Sequence, residues 1–325
     1  MDRLLRVCAV LLAAAGLCSA RPAFAQPYPS RPIHVVVPFA AGGAVDTLAR
    51  IIGAKLQDSI GQPVIIEDRA GAGGTTGADV VAKAPRDGYT ILQNTNGQAI
   101  APSLYRSLPF DTLKDFAPVT QLVTTSTVLV ANTKLPAKSL NELIALAKAK
   151  PGQLNYGMTG VGNGLHLTME LLKRTAGIDL QAVPYRGDAP LNTALIAGEI
   201  DVAIVPITTI IPHIQAGSVR ALAVTSAARS ALLPQVPTVS ESGFAGFEAS
   251  GWIGYFVPAR TPGEVIRFIQ RETAKVLMAP EVHQRLEALG NEPVGSTPEQ
   301  FDAKVRADVA SFAAIVKQAG IPPQN

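Results

Sequence analysis

The chain of 325 residues is 47% hydrophobic and 16% charged, with 28 Gly, 25 Pro and a formal charge of +3. That apolar content excludes a disordered chain, and the length suggests about two domains able to bury their cores without disulfides. The small net charge excludes an electrostatic nucleic-acid binder, which needs a concentrated basic face.

The N-terminus carries Arg3 and Arg6, then an apolar run from Val7 to Ala20, then Ala23-Phe24-Ala25. A basic start, a short apolar stretch and a small-x-small site are the pattern of a secretory signal peptide. The run is shorter than the ~20 residues that span a bilayer. Cleavage after Ala25 removes Arg3, Arg6, Arg21 and Asp2, leaving 25 basic and 24 acidic residues. Both cysteines, Cys8 and Cys18, leave with that segment, so the exported chain has no disulfide. A lipidated Cys18 is the competing reading, but the bulky Leu17 stands where a small residue is needed. No later apolar run reaches spanning length, so an exported, soluble mature chain is expected.

The rest alternates strands and helices. Ile33–Pro38 reads as a buried strand, and Val45, Leu48, Ile52, Leu56 and Ile60 recur at helical spacing. Val64–Ile66 and Tyr89–Leu92 are strands, with a glycine-rich turn (71–77) and a short helix to about Ala84 between them. This βαβαβ order predicts a mostly parallel sheet covered by helices. The middle repeats the plan: strands at Thr127–Val130, Leu154–Gly157, Val183–Tyr185, Val202–Val205 and Ala221–Val224, and helices after Ser139, through Leu165–Leu172 and over Leu191–Ala197. In the tail, strand Trp252–Val257 precedes two helices whose starts, Thr261-Pro262-Gly263-Glu264 and Thr297-Pro298-Glu299-Gln300, read as capping boxes. Ser139 with Glu142 reads as another.

Two strand-to-helix loops are the candidates for chemistry. One is Phe39-Ala40-Ala41-Gly42-Gly43 with Asp46 in the following helix. The other is Thr159-Gly160-Val161-Gly162-Asn163-Gly164 with His166. Loops without bulky side chains admit a ligand to the backbone, and N–H groups at a helix start favour an anion. Asp46 is either a first-turn acid favoured by the helix dipole or a group that orients the loop or a water. His166 is either a helix-terminal polar contact or part of a ligand cleft. Arg186 either clamps a carboxylate or pairs with Asp188.

Other chemistries lack their residues. Gly160-Val161-Gly162 is followed by Leu165 where a dinucleotide fingerprint needs Gly or Ala, and no phosphate loop occurs. No G-x-S-x-G elbow is present. His34, His166, His213 and His283 are scattered without metal spacing. No cofactor and no metal are expected.

Several separated segments carry a family resemblance. They are Tyr28-Pro29-Ser30-Arg31-Pro32-Ile33, Val36-Val37-Pro38-Phe39-Ala40-Ala41-Gly42-Gly43, Glu67-Asp68-Arg69-Ala70-Gly71-Ala72-Gly73-Gly74, Asp87-Gly88-Tyr89-Thr90, Leu135-Pro136-Ala137-Lys138-Ser139, Pro184-Tyr185-Arg186-Gly187, Ala223-Val224-Thr225-Ser226 and Pro237-Thr238-Val239-Ser240-Glu241-Ser242-Gly243. From Tyr28 to Ile321 the chain resembles the substrate-binding receptors of tripartite tricarboxylate transporters, the Bug-type extracytoplasmic solute receptors.

The resemblance implies an α/β, type II periplasmic binding protein with a cleft between two lobes. After a signal peptide (1–25), residues 26–125 plus 251–325 would form one lobe and 126–250 the other. The crossings would fall near Gln121–Val130 and Ala249–Val257. It implies a small organic carboxylate held by main-chain N–H groups of the two loops, namely Phe39, Ala40, Ala41, Gly42 and Gly43 with Asp46, and Thr159, Gly160, Val161, Gly162, Asn163 and Gly164 with His166. The loop Asn94, Thr95 and Asn96 and the segment Tyr185, Arg186 and Gly187 would line the rest. Where relatives often carry a Phe-Asp-Asn-like segment this chain has Val205-Pro206-Ile207-Thr208, so a more apolar wall at Pro206 is expected. A monomeric, non-catalytic receptor that docks on membrane transporter subunits is the leading expectation. A ligand sensor and a secreted enzyme acting on small carboxylates are the alternatives.

Overall fold

The β-branched run Ile33–Val37 forms β1, with Val35, Val36 and Val37 almost wholly buried, in a computed structural model that describes residues 28–185 and 187–324. The expected export signal and Arg186 lie outside the described residues. After β1 come α1 (Ala44–Ile60), β2 (Val64–Asp68), α2 (Thr75–Ala82), β3 (Thr90–Thr95), α3 (Gly97–Leu104) and β4 (Phe116–Thr125). The second lobe holds β5 (Thr127–Asn132), α4 (Leu140–Ala149), β6 (Asn155–Met158), α5 (Gly164–Ala176), β7 (Gln181–Pro184), α6 (Asp188–Ala197), β8 (Val202–Pro206), α7 (Ile207–Gln215) and β9 (Val219–Val224). The chain then returns through β10 (Gly251–Pro258), α8 (Gly263–Met278), α9 (Pro280–Ala288), β11 (Asn291–Pro293) and α10 (Pro298–Gln318).

Two sheets result. The first has the order β11-β4-β10-β3-β1-β2 and the second β7-β6-β8-β5-β9. In each, a parallel trio (β2-β1-β3, β7-β6-β8) is followed by an antiparallel strand, β10 or β5. Parallel strands need helical crossovers on both faces, which explains their continuous apolar runs. The second sheet has an apolar cluster on each face, one around Leu129, Tyr156 and Met169 and one around Val128, Leu191 and Val205.

The chain passes between the sheets at Ser126 and at Ala249-Ser250. These passages lie side by side. The Thr127 and Thr225 hydroxyls are 2.5 Å apart, and Ala249 N–H donates to Thr225 O at 2.9 Å. Helix α10 covers the first sheet. Phe301 packs edge-on to Trp252 with ring centroids 5.0 Å apart, and the Trp252 indole N–H donates to Asp308 at 2.6 Å.

Three local expectations change. Thr297 and Gln300 form a full capping box, but Ser139 forms half of one. Its hydroxyl accepts from Glu142 N–H, while Glu142 reaches back to Lys138 N–H. At α8 no side chain caps. Pro262 is the N-cap rather than the first helical residue, and Thr261 donates to Pro258 O. The segment Asn94–Asn96 is not a free loop, because Asn94 and Thr95 end β3.

Gly254 of β10 lies where the Phe301 ring meets the sheet. A Cβ there would overlap the ring and stand 3.0 Å from Thr120 O. Gly254→Ala should destabilise the chain by about 1–3 kcal/mol in urea titration, as overpacked cores do. A loss below about 0.5 kcal/mol would mean that Phe301 does not fix α10 on the sheet.

Candidate functional site

The two glycine-rich loops share one conformation. In the first, Gly43 N–H donates to Ala40 O (3.3 Å), Gly42 has φ +79°, and Gly43 caps α1 with φ −73° and ψ 171°. In the second, Asn163 N–H donates to Gly160 O (3.4 Å), Gly162 has φ +77°, and Asn163 caps α5 with φ −70° and ψ 166°. Only glycine adopts that left-handed turn without strain. Each left-handed glycine then donates its N–H to the side chain four residues on. Gly42 donates to Asp46 at 2.7 Å and Gly162 to His166 Nδ1 at 2.9 Å. Among the described residues, the N–H groups of Ala40, Ala41, Ala44 and Val45, and of Gly160, Val161, Gly164 and Leu165, take no protein acceptor. Both loops therefore keep donors at a helix start, an arrangement suited to an anion.

Asp46 is buried. Arg50 Nε lies 2.8 and 3.0 Å from its two carboxylate oxygens, and the other arm of Arg50 bonds Asp68 at 2.9 Å. Burial works against the Asp46 charge, but Arg50 and the Gly42 N–H outweigh it and hold the carboxyl below its ordinary value. At Asp68 burial and the neighbouring Asp46 charge win instead and push the carboxyl up. Of the two readings of Asp46, loop orientation is the one its contacts describe.

His166 is buried as well, stacked on Tyr156 with centroids 6.2 Å apart. Its Nδ1 accepts from Gly162, so the neutral ring carries its proton on Nε2, 4.0 Å from Glu170. Burial pushes the imidazole below its ordinary value; Glu170 opposes that and Lys173 adds to it. Glu170 is itself held by the Tyr156 hydroxyl and by Lys173. Asn163 completes the loop, its side chain accepting from His166 N–H and donating to Thr159 Oγ1.

The first lobe reaches this second loop. A Cβ at Gly162 would overlap Leu104, and one at Gly164 would stand 3.1 Å from the Asn96 amide. The Asn96 N–H is fixed by Trp252 O at 3.1 Å. Asn94 is buried and points inward, donating to Gln98 Oε1 at 2.8 Å, and Thr95 Oγ1 accepts from Gly97 N–H. Phe39 packs beside Gly74, on the same side as Asn94. Tyr185 follows β7 with its N–H on Met158 O at 2.8 Å, and Gly187, at φ +105°, caps α6. Asp188 opens that helix, its carboxyl raised by burial. Pro206 caps α7, while Ile207 turns into the lobe core. Leu104 and Gln98 belong to this set and carried no motif. A cavity of about 660 Å³ lies behind the first loop, between α1 and α9, rather than between the lobes. Among the described residues no three His, Asp or Glu side chains converge as a metal site, and no helix is long and apolar enough to cross a membrane.

The family model described as tripartite tricarboxylate transporter family receptor matches residues 48–321. The chain belongs to this receptor family. Protein BugT of Bordetella pertussis is 37% identical over 98% of this chain and 98% of its own. A solved R. palustris protein with adipate is 36% identical, with a TM-score of 0.76 over 91% of this chain and all of that one. MatC from Rhodopseudomonas palustris with bound malate is 32% identical, with a TM-score of 0.72 over 89% of this chain and all of that one. The receptor's two α/β lobes are those of periplasmic binding proteins, as the resemblance implied: the solved periplasmic binding protein BugD is 34% identical, with a TM-score of 0.73 over 91% of this chain and all of that one.

The His166 bond carries a pH dependence. The folded imidazole titrates below its ordinary ~6.5, so the unfolded chain takes the proton first. The stability it contributes is present above about 6.5 and lost as pH falls through the folded value. Urea midpoints of the receptor and of His166→Gln should therefore converge between about pH 7 and 5. A constant difference across that window would show that the Gly162 bond does not hold the ring neutral.

Proposed function

We propose that this receptor captures a small organic carboxylate between its lobes and delivers it to the membrane subunits of a tripartite tricarboxylate-type transporter. The observation that carries the reading is the pair of matched loops, one per lobe, each with unclaimed N–H donors at a helix start. Backbone donors and helix dipoles select an anion without a basic side chain. The relatives with adipate and malate support the carboxylate class.

In this reading the loops Phe39 to Gly43 and Thr159 to Gly164 offer the solute the N–H groups left open at Ala40, Ala41, Gly160, Val161 and Gly164, and Asp46 and His166 hold the loops rather than touch the solute. Asn96, Tyr185, Gly187 and Pro206 would line the remaining wall. With Ile207 in the core, the apolar character of that wall falls to Pro206. The favoured solute is a carboxylate with an apolar body rather than an amino acid. Hinge closure about Ser126 and Ala249-Ser250 would trap it, with the solute favouring the closed state. Asp46 and His166 are the acid and base that an enzyme reading would need, and both are committed to loop amides. The receptor works in the periplasm, residues 1–25 being its export signal.

A thermal-shift panel tests the solute class. At a hundredfold excess over Kd a bound solute adds about 2.7 kcal/mol, a rise of several degrees. Adipate or an aromatic monocarboxylate should raise Tm, and aspartate and glutamate should not. Shifts with the amino acids alone would overturn the apolar-body assignment. Conversion of a bound acid, followed by proton NMR, would overturn the receptor reading.

A further inference from the structure

The segment after α10 reaches across the lobes. Gly320 turns the chain at φ +63°, and Ile321 is buried in a cluster with Ile100, Leu104, Leu167, Ile315 and Val316. Of these, Leu167 belongs to α5 of the second lobe and the others to elements of the first. Pro322-Pro323 then keeps the backbone extended and free of donors. Gln324 lies against the end of α3. Its N–H donates to Leu104 O at 2.7 Å, and its carbonyl accepts from Arg106 N–H at 3.0 Å. From that anchor the Gln324 Nε2 donates to Val161 O, 2.8 Å away in the second glycine loop.

Val161 O and Gly162 N belong to one peptide plane. His166 takes its N–H from within the second lobe, and Gln324 supplies a donor to its carbonyl from the first. The matching peptide in the first loop, Ala41–Gly42, is held through Gly42 N–H by Asp46 of its own lobe. The second loop is therefore fixed on both sides only while the lobes are together.

We propose that Ile321–Gln324 is a strap that holds the second glycine loop shut on the first lobe, with Gln324 as the positioning residue. It sets the Val161–Gly162 peptide, and through it the direction of the neighbouring N–H groups, without touching the solute. The role in solute retention rests on the carboxylate reading above; the role in fixing the loop does not.

Amide hydrogen exchange of the whole chain without added solute tests the strap, with the first loop as internal control. Gln324→Ala should raise exchange across 159–166 by about two- to tenfold, the worth of one net hydrogen bond, and leave 39–46 unchanged. Gln324→Glu keeps the size, loses the donor and should behave like Gln324→Ala. Exchange at 159–166 equal to the unmodified chain in both variants overturns the proposal. Equal acceleration of both loops also overturns it, since that is general loosening. A second arm measures dissociation of adipate by stopped flow, where Gln324→Ala should raise the off-rate by a similar factor with little change in the on-rate. Failure of adipate to bind would count against the carboxylate reading and leave the exchange result to decide the strap.

Discussion

The shape of both glycine-rich loops depends on where two amide hydrogens go. Gly42 and Gly162 turn the chain from strand into helix in a conformation that only glycine takes freely, and the turn leaves one N–H pointing back at the helix. Asp46 and His166 absorb those two hydrogens. The His166 lock is neutral, whereas the Asp46 lock shares the Arg50 charge with Asp68. In the proposed reading a carboxylate or other anion would therefore meet oriented dipoles, with the smaller opposing field at the second loop.

The sheets make the two loops equivalent. Each lobe places its parallel trio in the same order and adds one antiparallel strand beside the third member. In both lobes that strand, β5 or β10, starts at a crossing. Each crossing runs directly into an interior strand of a sheet, so both crossings are rooted in a core. The loops sit at the carboxyl ends of β1 and β6, where open α/β sheets bind ligands.

The alternation of strands and helices was legible because buried parallel strands are runs of Val and Ile, and the loops were legible because glycine marks them. Helices α3 and α7 were not, since each contains a proline, Pro102 or Pro212. In α3 the structure compensates: Gln98 O, the carbonyl that an N–H at position 102 would serve, accepts instead from the Thr112 hydroxyl. That partner is distant in sequence and leaves no local signal. The failed cap at Thr261 has the same character, because Pro258 O captures a hydroxyl that the local pattern assigns to the helix. Asp46 and His166 stood out as candidates, but their roles could not be separated without the Gly42 and Gly162 geometry. Leu104 and Gln324 carry no motif; their importance comes from lying opposite a loop of the other lobe.

Trp252 is the one tryptophan of the chain. It follows the second crossing, with its indole bonded to Asp308 on α10 and its carbonyl holding Asn96 beside the second glycine loop. The receptor thus carries its one indole between a lobe crossing, α10 and the second glycine loop. Under the proposed closure its emission would report lobe movement from inside the molecule, with no other indole to blur the signal.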